Sequence, residues 1–170
     1  QPLLLPASPL FIWFSLLGAL ALNMLMNMGP WGRSTWVPDL LALVLVFWNV
    51  HQPRRVGVGA AFVFGLLMDV HGGALLGQHA LSYTLLSYLA ITIHRRVLWF
   101  GVVEQVLHVL PLFIASHLVS LVVRLLAGDS FPGWSLVAAP LFEALLWPVA
   151  TWLLLAPQRR PPDPDKNRPL

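Results

Sequence analysis

Long apolar runs separated by short polar breaks make up most of the chain: Ser8 to Met28, Trp36 to Val50, Val56 to His71, Gly77 to Ile93, Val97 to Val123 and Trp134 to Ala156. An α-helix needs about 20 apolar residues to cross roughly 30 Å of hydrocarbon, and the runs are of that order. The stretch between Arg55 and Arg95 decides the count. Its 39 residues, 56 through 94, approach two bilayer crossings at about 1.5 Å per residue, so it reads as a hairpin turning at Gly72 to Gly77. The pattern predicts an all-α integral membrane protein, a six-transmembrane-helix bundle. One membrane domain is expected over residues 1–156, with a disordered tail over residues 157–170, which are rich in proline and poor in apolar groups.

Charge sets the expected orientation. With six spans, Arg54, Arg55, Arg95, Arg96, Arg159, Arg160, Lys166 and Arg168 face one side, and only Arg33 and Arg124 of the 10 basic residues face the other. The positive-inside rule then puts both termini in the cytoplasm. Trp31, Trp36, Trp99 and Trp134 fall near span ends, as an interfacial belt requires. The first run reads as a transmembrane helix rather than a signal peptide, since Gln1 to Ala7 carry no positive charge. Composition agrees with lipid as the solvent: 58% of residues are hydrophobic and 10% charged, against about a quarter charged in soluble domains. With no cysteine, disulfides, thiolate nucleophiles and thiolate metal sites are excluded.

Chemistry then has few places to reside. Asp69 is an acid within an apolar run, an expensive placement that calls for a partner or a task. It reads as a turn residue closing the hairpin, a hydrogen-bond anchor between helices, or an ion or proton ligand. Gly57, Gly59 and Gly65, with Ala60 and Ala61, give the third run small residues for close helix approach. The Gly72 to Gly77 spacing is not a phosphate loop, because no strand precedes it and no GKS or GKT follows. Glu104 and His108 share one helical face, with His117 farther along and Glu143 in the last run. Their loose spacing requires no metal site, and no G-x-S-x-G elbow is present. No catalytic, cofactor-binding or metal-ligating residue is expected.

One run carries more. WVPDLLALVLVFWNVHQPRRVGVGAAFVFGLLMDVHGGALLGQHAL has Pro38 opening the second span and Phe47-Trp48 before the Pro53-Arg54-Arg55-Val56 turn. Gly59, the G-x-x-x-D pair Gly65 and Asp69, then Gly73, Leu76 and Gly77 follow, and Leu146-Trp147-Pro148 lies in the last span. In order and spacing these residues resemble the rod shape-determining MreD family, from Trp36 to Trp152. Glu143 departs from that pattern, where a neutral polar residue is expected before the Leu-Trp-Pro; a carboxylate here must find Arg124, a histidine or a partner subunit, or stay protonated. The resemblance implies a non-enzymatic subunit of the cell-elongation (Rod) machinery. Its implied partners are MreC and, indirectly, MreB, RodA and the elongation transpeptidase, with membrane lipids around it and no nucleic acid. Contacts would come from small-residue helix faces such as Gly57, Gly59 and Ala61 and from the basic turn at Arg54 and Arg55. The competing expectation is a substrate-binding subunit of a vitamin-type transporter, with Asp69, Glu104, His108 and Glu143 lining a cavity.

Overall fold

A computed structural model of the chain describes residues 9–28, 38–72, 76–128, 131 and 133–156. Six α-helices and no strand occur among these residues: α1 (Pro9–Met28), α2 (Leu40–His51), α3 (Val58–Gly72), α4 (Gln78–Trp99), α5 (Val102–Leu126) and α6 (Ala138–Leu155), with a 3₁₀ turn (Trp134–Val137) leading into α6. The tail from Pro157, Trp31, Trp36, Arg33 and Gly73 lie outside the described residues.

The second helix sits at the centre. It packs against α1, α4 and α6, while α4 packs against α2, α3 and α5. Leu41 to Leu43 and Leu45 to Val50 are all buried, as befits a helix apolar on every side. It starts where Asp39, in extended conformation, accepts a hydrogen bond from Ala42 N at 3.0 Å and so caps the orphan donors of the first turn. Pro53 follows its end, and Gln52 O closes the turn by accepting from Arg55 N and Val56 N, both at 3.1 Å. That turn leaves Arg54 and Arg55 exposed and buries Val56.

Three helices are both long and apolar enough to cross a bilayer unaided: α1, α5 and α6. Helices α2 and α3 are apolar but short, at 12 and 15 residues, or roughly 18 and 22 Å by helical rise. Helix α4 has the length, with 22 residues, but carries Gln78, His79, Ser82, Thr84, Ser87, His94, Arg95 and Arg96. The central helix α2 is therefore surrounded by its neighbours rather than by lipid.

Candidate functional site

Asp69 and Gly65 stand four residues apart on one face of α3, and both meet the beginning of α4. At Gly65 the backbones approach so closely that a Cβ would lie 2.6 Å from Ala80 N and 2.7 Å from His79 C. Asp69, fully buried, accepts hydrogen bonds from Gly77 N (2.9 Å), His79 N (2.8 Å) and Ala80 N (3.3 Å), and its Oδ1 is 2.9 Å from His79 Nδ1. A helix leaves its first N–H groups without partners, and its N-terminus attracts negative charge. Gly77, at φ +105°, turns the chain into α4 but has no side chain to cap it, so the carboxylate comes from the preceding helix. The G-x-x-x-D pattern is thus one device: the glycine permits contact and the aspartate closes it. The turn role and the interhelical anchor role of Asp69 coincide in the same four bonds.

A second polar group, built around Asp39, gathers five helices. Its carboxylate accepts from Asn23 Nδ2 of α1 and from Tyr83 OH of α4 as well as capping α2. Asn23 Oδ1 in turn accepts from Leu40 N at 3.0 Å. The amide of Asp39 donates to Glu143 Oε1 of α6 at 2.8 Å, and the same oxygen is 2.7 Å from His117 Nε2 of α5. Glu143 therefore finds a histidine, and it is wholly buried. Its second oxygen, Oε2, is buried without a hydrogen-bond partner among the described residues.

The tryptophans of the two aromatic motifs are likewise internal. Trp48, buried, donates from Nε1 to Ser15 Oγ at 2.8 Å and lies edge-on to Phe11 and Phe47. Trp147, also buried, packs near Phe47 and His51 and donates to Gln105 Oε1 at 2.9 Å. Gln105 Nε2 then donates to Phe100 O at 3.1 Å, fixing the α4–α5 corner. Pro148, half-buried inside α6, supplies no amide to the helix ladder.

The remaining expected positions divide by exposure. Pro38 and Pro53 are half-buried, while Arg54, Arg55 and Gly59 are exposed. Nothing lies within 4 Å of a Cβ built at Gly57 or Gly59, so of the three glycines only Gly65 serves close helix approach. Ala61 is fully buried and presents nothing to a partner, contrary to its expected role. The exposed side of α3 is instead Gly59, Phe62, Val63, Leu67 and Val70. Glu104 and His108 do not share a side-chain bond; His108 Nδ1 lies 3.1 Å from the backbone oxygen of Glu104, and Glu104 is exposed. Equal helical phase was right, but phase alone does not say whether a face turns inward. Consequently Glu104 does not join Asp69 and Glu143 in a common lining, and among the described residues no group of three or more His, Cys, Asp or Glu is placed to hold a metal.

Sequence reasoning passed over Asp39, Asn23, Tyr83 and Gln105. Only Asp39 left a local signal, a Pro-Asp pair just ahead of an apolar run, which is helix-start chemistry.

Comparison with known proteins adds an independent line. Residues 7–156 match the family described as rod shape-determining protein MreD. The chain is similar to the "Rod shape-determining protein MreD" of Haemophilus influenzae, with 31% identity over 149 residues that cover 84% of this chain and 88% of that protein. No solved structure matches.

Proposed function

Because the chain belongs to the rod shape-determining MreD family, we propose that it is a non-enzymatic subunit of the bacterial cell-elongation complex. In this reading it binds MreC and, through it, connects with MreB, RodA and the elongation transpeptidase to organise lateral peptidoglycan synthesis. The observation that carries the reading is the use made of the motif residues. Gly65, Asp69, Trp48, Trp147 and Glu143 all join helix to helix within the bundle, which is the economy of a scaffold rather than of a reaction site. Partner contact is left to the outward side of α3 and to the exposed turn at Arg54 and Arg55. Without hydrophobic drive in lipid, helices associate through close packing, and Gly59 leaves room for it.

Affinity purification from native membranes in mild detergent is expected to recover a single-span MreC-type protein. Recovery of an ATPase module with a bound small molecule instead would replace this reading with the transporter one.

The same proposal has all six helices crossing the inner membrane, the short α2 shielded by its neighbours, and both termini in the cytoplasm. A single cysteine at position 54 should then react with an impermeant thiol reagent only after the cytoplasmic face is opened. Labelling from the periplasm of intact cells would reverse the topology.

A further inference from the structure

At the corner between α4 and α5 the surface forms an open groove of about 570 Å³ lined by Arg95, Arg96, Trp99 and Phe100. We propose that this groove binds an anionic phospholipid, its phosphate held by Arg95 and Arg96 and the root of its acyl chains lying against Trp99 and Phe100.

The wall of the groove is almost wholly apolar, the two arginines contributing their stems, and the guanidinium groups beside it are unmatched. Both arginines are exposed, and among the described residues neither makes an ion pair or a side-chain hydrogen bond. A guanidinium offers paired donors in the geometry of phosphate oxygens, so two adjacent ones favour a phosphate-bearing headgroup. Two positive charges also repel the ammonium of a zwitterionic headgroup, which selects a lipid of net negative charge. The apolar half of the site fits the rest of such a molecule. Trp99 is 86% exposed at the end of α4; in the topology proposed above, on which this inference rests, that end lies where tryptophans meet headgroups and chains.

The groove is also preformed. The Phe100 ring stacks on His108 of α5 at 4.3 Å, and its carbonyl accepts from Gln105, which is held by Trp147. A wall fixed by three helices loses little freedom when a ligand arrives. The other dibasic turn, at Arg54 and Arg55, has no large aromatic neighbour between Gln52 and Val58 and serves as an internal control.

Native mass spectrometry of the full chain in detergent, with dioleoylphosphatidylglycerol or dioleoylphosphatidylcholine added at equal concentration, tests the proposal. The phosphatidylglycerol should bind in preference. Arg95→Gln with Arg96→Gln should weaken it about 30-fold, the equivalent of about 1 kcal/mol for each arginine, whereas Arg54→Gln with Arg55→Gln should not. Equal losses in the two double variants would mean undirected attraction to basic charge and would overturn the proposal. Trp99→Ala removes an exposed side chain that the fold does not need, and should weaken binding about fivefold. No loss there, or no preference between the two lipids in the unaltered protein, overturns it as well and leaves the groove to a protein segment or a second copy.

Discussion

Replacing Asp69 with alanine is expected to lower stability by about 3 kcal/mol or more. The carboxylate accepts from three backbone N–H groups at the start of α4. A buried donor stripped of its acceptor costs on the order of 1–3 kcal/mol. Ala80 is buried, so its amide loses most; His79 is partly exposed and recovers something from its surroundings. For a chain of this size the loss corresponds to a fall in melting temperature on the order of 10 °C, measured on the purified protein in detergent. Asp69→Asn should fall between the two, because an amide keeps one acceptor oxygen and turns a donor toward the other amides. An alanine variant that melts like the unaltered protein and still supports rod shape would remove Asp69 from the structural role given to it.

Gly65→Val should be comparably damaging, for a reason that reaches Asp69 as well. A side chain at position 65 meets backbone atoms of His79 and Ala80, which have no alternative rotamer to adopt. Helices α3 and α4 must therefore separate, at a cost of about 1–3 kcal/mol for the overpacking alone. Separation also draws the Asp69 carboxylate, one turn along, away from the amides it caps. The two substitutions should not add: Gly65→Val combined with Asp69→Ala is expected to melt above the temperature that the single losses would sum to. Strict additivity would show that glycine and aspartate act independently. Gly59→Ala, where a methyl group meets open space, should leave the melting temperature unchanged.

These two residues also mark where the sequence is readable. Helical class and approximate helix positions follow from the apolar runs, because each run has its own polar breaks. The small residues of the third run and the glycines closing the hairpin were legible separately, with Asp69 open between turn, anchor and ligand; joining Gly65 and Asp69 in one cap required knowing that α4 begins against α3. The polar group around Asp39 was illegible for a different reason. Its bonds join residues 16, 44 and 104 positions apart, and no periodicity connects Asn23, Tyr83 or Glu143 to Asp39. The Glu104–His108 pair fails in the opposite sense. Its spacing is local and regular, yet α5 turns Glu104 outward, and a run apolar nearly all round offers no pattern to say so. The runs look alike in sequence, yet only α1, α5 and α6 are long and apolar enough by themselves, since α2 and α3 are short and α4 carries many polar groups.

The bond between the Asp39 amide and Glu143 has a consequence for biogenesis. The two residues are 104 positions apart, so at about 5–20 residues per second the ribosome needs on the order of 5–20 s to supply the acceptor after the donor has emerged. Throughout that interval the start of the central helix lacks its last partner, and α1 to α5 form an incomplete assembly whatever their own packing. Arrival of α6 is therefore the event that finishes the molecule, and a chain ended by premature termination before it would keep an open polar end where the complete protein is closed.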